Sequence, residues 1–228
     1  MRYLNITKAE FLQRINRFVA KVSLSGEEIV CHVKNTGRLG ELLLKGATVY
    51  LEESSNSDRK TKYDLVAIEK DGEIFNIDSY APNLAAKEYL MKLYPDCRVR
   101  AEVKYGNSRF DFCIEGENSK TFTEVKGVTL IKDGIALFPD APTERGVKHI
   151  KELIECRKEG LGAEILFVVQ TRFAECFSPN DETHLQFAEA LREAENAGVK
   201  ITAVNCIVTP SEMIIDREIK TDLRRNIK

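Results

Sequence analysis

The chain has 228 residues, 43% hydrophobic and 31% charged, with a formal charge of −2. That balance excludes wholesale disorder and describes either one large globular domain or two small ones. No run approaches the roughly eighteen apolar residues of a membrane span, and no charged-then-apolar leader opens the chain, so a cytoplasmic protein without membrane partners is expected. The near-neutral charge also excludes a general polycation, so any nucleic-acid contact must be local. The six cysteines are scattered, without a Cys-x-x-Cys pair, and several lie inside apolar strand-like runs. Buried reduced thiols are expected, and neither a disulfide framework nor a zinc site.

From Arg17 to Asp78 the pattern is almost all strand. Phe18–Leu24, Glu28–Val33, Ala47–Glu52, Tyr63–Lys70 and Glu73–Asp78 read as short β runs, with Leu39–Leu44 as a helical turn. The last two runs are separated by Asp71-Gly72, a strong hairpin signal. Five short strands with one interposed turn suit a Greek-key barrel of the oligonucleotide-binding (OB) type, although other small barrels share that count. After Ala81-Pro82 the period changes, which places a domain boundary near residue 82 (domains 1–82 and 83–228). Asn83 is read as the cap of a helix reaching Leu93. Arg98–Tyr105, Arg109–Ile114 and Thr121–Leu130 read as an antiparallel meander, followed by a loop through Phe138–Pro142. Thr143 opens an amphipathic helix closing near Gly160. The strand Ala163–Gln170, a second helix over Asp181–Ala197 and a final strand over Lys200–Val208 complete a mixed sheet flanked by helices. The expected class is therefore two-domain α+β.

The chemistry-bearing stretch is Asp111 within Ser108–Phe112, followed by Glu124-Val125-Lys126. Phosphodiester hydrolysis near neutral pH calls for a hard divalent cation held by oxygen ligands. Carboxylates on adjacent strands can hold one. A lysine two residues after the second acid lies on the same strand face, about 6.6 Å along. Asp111 and Glu124 are thus candidate ligands for Mg²⁺ or Mn²⁺, with Lys126 serving water and developing charge. Glu-x-Lys also occurs at Glu102–Lys104 and Glu218–Lys220, where it reads as an ordinary solvated face. Apolar neighbours (Phe110, Phe112, Phe122, Val125 and Val128) set Asp111 and Glu124 apart. The segment Phe138–His149 brings Arg145, Lys148 and His149 to a helix start, where free N–H groups favour phosphate.

Blocks spread over nearly the whole chain resemble the sugar fermentation stimulation protein (SfsA) family. They are RINRFVAKV at 14–22, HVKNTGRLGELL at 32–43, RKTKYDL at 59–65, EVKYGNSRFDF at 102–112, EVKGVTL at 124–130 and FPDAPTERGVKHIKEL at 138–153. The resemblance implies an N-terminal OB-like domain and a C-terminal domain similar to PD-(D/E)xK nucleases. It also implies a DNA-binding protein linked to sugar-metabolism regulation. Within that pattern Asp111 stands at the first metal carboxylate, Glu124 and Lys126 at the Glu-x-Lys element, and Glu88 at an extra helical acid. The proline usual before the first acid is Phe110 here.

In the barrel, Arg14, Asn16, Arg17, His32, Lys34, Asn35 and Arg38 form a polar cluster, and Arg59-Lys60-Thr61-Lys62 is the best local phosphate contact. Phe18, Tyr50 and Tyr63 are candidate stacking platforms, with a core position as the alternative reading for Phe18. His32 reads as structural, and His184 has no evident role. The leading expectation is a Mg²⁺-dependent nuclease acting on DNA or RNA, with Glu88 or Glu102 as auxiliary acids. Arg38, Arg59, Lys60, Lys62, Arg109, Arg145 and Lys148 would contact nucleic acid. A homodimer stays open. The alternative is a non-catalytic DNA-binding regulator of sugar-metabolism genes, although the short Arg224-Arg225 tail carries no recognition helix. A small-molecule phosphate binder comes last, because the chain has neither a P-loop nor a Gly-x-Gly-x-x-Gly.

Overall fold

A computed structural model describes residues 1–56 and 58–224. Arg225 lies outside the described residues. The N-terminal strands are β1 (Ile6–Asn16), β2 (Val19–Leu24), β3 (Glu27–Val33), β4 (Thr48–Glu53), β5 (Tyr63–Lys70) and β6 (Glu73–Asn76). They pair in the order β3-β2-β1-β4-β5-β6, and an additional parallel β3–β5 pairing closes the first five into a barrel. The closed five-stranded barrel therefore has a different membership from the expected one. β1 supplies the missing strand, and β6 lies outside the closure. Register shifts at Phe11/Gln13 and Arg14/Asn16 interrupt the alternation of β1, which hides it from a period-2 reading. The β5–β6 hairpin turns through Asp71 and Gly72, both at positive φ, as a two-residue turn of this hand demands.

The C-terminal part begins with helix α1 (Ala81–Leu93) and the strands β7 (Arg98–Tyr105), β8 (Ser108–Glu115) and β9 (Lys120–Val128). Two short strands, β10 (Leu130–Lys132) and β11 (Ile135–Phe138), precede helix α2 (Glu144–Lys158). Strand β12 (Gly162–Val169), β13 (Cys176–Pro179), helix α3 (Leu185–Asn196), β14 (Lys200–Thr209), β15 (Glu212–Glu218) and β16 (Lys220–Thr221) follow. The main sheet runs β15-β14-β12-β9-β8-β7, antiparallel in the meander and parallel where β12 joins β9 and β14. A small sheet, β10-β11-β13-β16, stands beside it. Among the described residues no helix is long and apolar enough to cross a membrane. All six cysteines are free thiols, five of them buried.

Helix α1 starts two residues before the expected cap. Tyr80 occupies the cap position and Pro82 sits in the first turn, where a missing N–H costs nothing. Helix α2 begins as its sequence dictates, with the Thr143 hydroxyl accepting the Gly146 N–H at 3.1 Å. Its apolar face and that of α3 cover one side of the main sheet around Phe110, Phe122, Phe167 and Phe187. The other side packs α1 and the barrel residues Val66 and Ala67 against Phe112, Val125 and Leu166. The barrel thus contributes to the core of the second unit.

A polar weld reinforces that shared core. Buried Gln170 donates from Nε2 to Asn76 O (3.1 Å), Asn76 Oδ1 (2.9 Å) and Asp78 O (3.1 Å). Its backbone carbonyl accepts the Asn76 N–H at 3.0 Å. Tyr3 OH takes a hydrogen bond from Asn76 Nδ2 at 2.7 Å and donates to Asp78 at 3.3 Å. Lys34 Nζ pairs with the same Asp78 carboxylate at 2.7 Å. The two units are thus joined by directional bonds as well as by apolar area.

In the barrel wall, Asp64 is almost fully buried and receives the Arg59 fork at 2.6 and 3.0 Å and His32 Nδ1 at 3.1 Å. Burial pushes the Asp64 carboxyl up, yet Arg59 and His32 outweigh it and hold its pKa below the ordinary Asp value. A depressed carboxyl pKa contributes stability above the unfolded value and loses it as pH falls through the folded one. Between about pH 5 and 3 the urea midpoint of the wild type should therefore fall more steeply than that of Asp64→Asn. Parallel pH profiles would contradict this clamp.

Candidate functional site

The β8–β9 ladder pairs Glu115 with Lys120 through Phe112 with Thr123, and stops there. Asp111 lies one residue beyond, where the strands part. Its Oδ2 accepts the Val125 N–H at 2.8 Å and its Oδ1 accepts Asn83 Nδ2 at 2.7 Å. The carboxylate thus replaces the missing main-chain partner of β9 and ties α1 to the sheet. On the other side, Glu102 of β7 falls opposite Asp111 in register, but it adopts a φ of +56° and its ladder pairing is skipped.

On β9, Phe122 and Val128 belong to the core layer under α2 and α3, so Glu124 and Lys126, of the same parity, face that layer. Glu124 is 4% exposed. Its Oε1 accepts Lys126 Nζ at 2.5 Å and also His149 Nδ1 from α2. Arg145 Nε donates to the far ring nitrogen of His149 at 3.4 Å, which assigns the Nδ1 proton to the Glu124 side. Both donors address Oε1, leaving Oε2 without a donor among the described residues.

The electrostatics follow from this geometry. Burial pushes the Asp111 carboxyl above its ordinary pKa, and the charge of Glu124 adds to the rise, against the Val125 and Asn83 hydrogen bonds and Lys126. Burial acts on Glu124 in the same sense, but His149 and Lys126 prevail and hold it below the usual carboxylate range. Two carboxyl groups feel each other here, and an ammonium lies beside them. Hard divalent cations take oxygen donors, so Asp111 and Oε2 of Glu124 are the groups that could hold Mg²⁺ or Mn²⁺. Among the described residues no group of three or more His, Cys, Asp or Glu has metal-holding geometry, so water or substrate oxygens would complete the shell.

Gly127, directly after Lys126, is a position of close approach. A Cβ there would lie 2.6 Å from Gln170 Oε1 and 2.7 Å from the Pro82 ring. Gly127 therefore lets β12, α1 and β9 converge behind the lysine.

The remaining expected site residues are dispersed. Glu88, expected as an auxiliary acid, pairs through Oε2 with the Met1 amino group at 2.9 Å on the exposed side of α1. Glu102 pairs with Arg109 at 2.7 Å, both groups largely exposed. Arg59 does not project as a phosphate contact, because Asp64 holds its fork. Lys62 pairs with Glu53 at 3.0 Å, while Lys60 and Arg38 are exposed. Lys148 donates to the Asn107 carbonyl at 3.3 Å, near Glu152 at 3.8 Å. Arg145 leans on His149 from the exposed side of α2. Phe18 is 53% exposed and not part of the core. His184 sits at the cap of α3, where its Nδ1 accepts the Thr143 N–H at 3.4 Å.

Two residues beside the acids have a different role in the sequence reading, Asn83 as a helix cap and His149 at a phosphate-favouring helix start. Asn83 looks like a helix cap after Pro82, and nothing local points it at Asp111. His149 does leave a signal. Gly146, His149, Ile150 and Leu153 fall at i, i+3, i+4 and i+7, so the histidine shares the buried stripe of α2.

A closed five-stranded barrel of the OB type, followed by a mixed α/β unit with two acids and a lysine where β8 and β9 part, defines the class of protein. The chain matches the family models for the SfsA N-terminal OB domain over residues 12–77 and for the sugar fermentation stimulation protein RE domain over residues 80–212. It belongs to the sugar fermentation stimulation protein (SfsA) family. Homologues carrying that name are 49% identical over 211 residues in Desulfitobacterium hafniense (92% of each chain) and 45% identical over 226 residues in Ruminiclostridium cellulolyticum (98% of this chain and 100% of that one). The structure of Pyrococcus furiosus SfsA in complex with Ca²⁺ superposes with a TM-score of 0.86 at 32% identity, covering 97% of this chain and 98% of that one.

Removing the Asn83 amide leaves Asp111 with one hydrogen bond fewer. Asn83→Ala is expected to cost about 1 kcal/mol of stability and to weaken Mn²⁺ binding measured by calorimetric titration. Unchanged Mn²⁺ affinity would show that Asp111 does not depend on this support. Gly127→Ala is expected to lower stability by about 1–3 kcal/mol, read from denaturant unfolding. A neutral effect would mean that Gln170 and Pro82 yield easily.

Proposed function

We propose that this protein is a divalent-metal-dependent phosphodiesterase acting on nucleic acid, DNA in the first place. The carrying observation is that Asp111 and Glu124, on adjacent strands, are each fixed by named donors where β8 and β9 part, while Oε2 of Glu124 has no donor among the described residues. Two carboxylates that raise each other's proton affinity favour a shared cation. Asp111 and Glu124 would hold Mg²⁺ or Mn²⁺, which when bound polarises a phosphate and lowers the pKa of a water. The Ca²⁺ in the complex of the Pyrococcus furiosus relative is a hard cation of the same ligand preference. The OB and RE domains of the family models are in keeping with a nucleic-acid substrate.

The chain's own groups then divide the labour. Val125 N–H and Asn83 fix the Asp111 carboxylate, and His149, backed by Arg145, fixes Glu124 from the opposite side. Lys126 bridges to Glu124 in the absence of substrate, and on phosphate binding its ammonium can orient the attacking water and offset the charge that develops on the phosphate oxygens. Arg145 and Lys148, near the start of α2, supply positive charge on the exposed side.

Incubation of single- and double-stranded DNA and RNA with Mg²⁺ or Mn²⁺ is expected to give cleavage that Asp111→Ala or Lys126→Ala lowers on the order of 100-fold or more. Equal absence of cleavage in wild type and Asp111→Ala contradicts the enzymatic reading. A salt-sensitive gel shift that survives EDTA under those conditions would favour the non-catalytic DNA-binding regulator.

A further inference from the structure

A cavity of about 400 Å³ lies between the two domains, and its wall begins at Gly127, the residue after the site lysine. From the barrel come Arg17 and the loop Asn35–Gly37. From the second domain come Phe138–Thr143, Thr129 and Gln170. A second recess, lined by Arg14, Arg17 and Arg38, shares Arg17, Thr36, Gly37, Ala141 and Pro142 with the first, so the two form one cleft leading away from Lys126.

The barrel side of the cleft is pre-ordered. The Arg14 guanidinium donates to the carbonyls of Gly37 (2.6 Å), Asn35 (2.6 Å), Arg17 (2.8 Å) and Arg38 (2.9 Å), clamping both loops from beneath. Asn35 Oδ1 accepts the Gly37 N–H at 2.7 Å, and Gly37 lies close against the Asp140 carboxylate. Arg17 and Phe18 form the two-residue turn of the β1–β2 hairpin, presenting a cation and an exposed ring together. Among the described residues, neither Arg17 nor Arg38 pairs with a carboxylate.

The inner wall has the opposite character. Gln170 is 2% exposed, all its Nε2 bonds go to the barrel, and its Oε1 has no donor among the described residues. With Asp140, the cavity offers acceptors and a negative charge, which repels phosphate and receives groups bearing N–H. A nucleobase edge has that chemistry, while a phosphate suits the arginines outside. The volume falls at the lower end of small-ligand sites. That space is of the order of one nucleotide unit, and loops from both domains line it.

We propose that the interdomain cleft seats an unpaired strand, one base in the cavity and its phosphates on Arg17 and Arg38 with Phe18 as a stacking platform, so that the site acts on single-stranded nucleic acid. The inference rests on the proposed function and names the substrate form for it. Aromatic stacking and local arginines are the means by which single strands are held without sequence preference.

Fluorescence anisotropy with a labelled 15-mer, free or annealed as a blunt duplex, tests this in EDTA and again with Ca²⁺. The single strand is expected to bind about tenfold or more tighter than the duplex, and Arg17→Glu to weaken it about tenfold with a shallower salt dependence. Thr36→Trp, which fills the mouth of the cleft, should weaken it comparably. Both positions are exposed, and an unchanged unfolding midpoint confirms that the variants fold. Equal affinity for duplex, or single-strand binding untouched by both substitutions, overturns the proposal even if Asp111-dependent cleavage stands. Cleft-dependent binding without Asp111-dependent cleavage supports the cleft and removes the enzymatic reading. Failure to bind either form overturns both.

Discussion

A carboxylate removed almost entirely from water survives as an ion only if donors replace the lost hydration. Glu124 meets that condition with Lys126 on its own strand and His149 on α2, and the requirement fixes more than one side chain. Helix α2 must dock with its histidine over β9, which sets the packing of Ile150, Leu153 and Ile154 against the aromatic core. β8 and β9 must part after Phe112 and Thr123, because the freed Val125 N–H is what holds Asp111 next to Glu124. α1 must lie close enough for Asn83 to reach the same carboxylate, and Gly127 permits that approach by carrying no side chain. The acid pair is therefore a product of three elements converging on one strand.

The barrel is built into this arrangement. Val66 and Ala67 enter the core behind α1, and the Gln170–Asn76–Tyr3–Asp78–Lys34 chain of hydrogen bonds ties β12 to the barrel strands. Gln170 sits at the end of β12, beside Gly127. A shift of one domain against the other would break several buried polar bonds at once, so loops from both domains keep a set distance across the cleft.

The meander, both long amphipathic helices and the pairing of Glu124 with Lys126 were legible because each follows from a local period or a short spacing. Thr143–Lys158 is the clearest case, since cap, apolar stripe and terminating glycine agree. What escaped depends on partners distant in sequence. β1 carries two register irregularities, and β11, β13 and β16 are too short to show a period before their neighbours are known. Arg59 looked like a phosphate contact because Asp64, five residues on, reads as one more polar position within a strand. Asn83 satisfied every rule for a helix cap and turned out to be the support of Asp111. Charged residues were the least legible, because a fold decides whether a cation faces solvent or a carboxylate.

The central claim is that Asp111 and Glu124 lie close enough to share one cation. Anomalous scattering from crystals soaked in Mn²⁺ addresses it directly. The account predicts a single strong peak between the Asp111 carboxylate and Oε2 of Glu124, absent from crystals of Asp111→Ala. A soaked crystal with no peak there, and with Mn²⁺ bound only elsewhere on the surface, would contradict it.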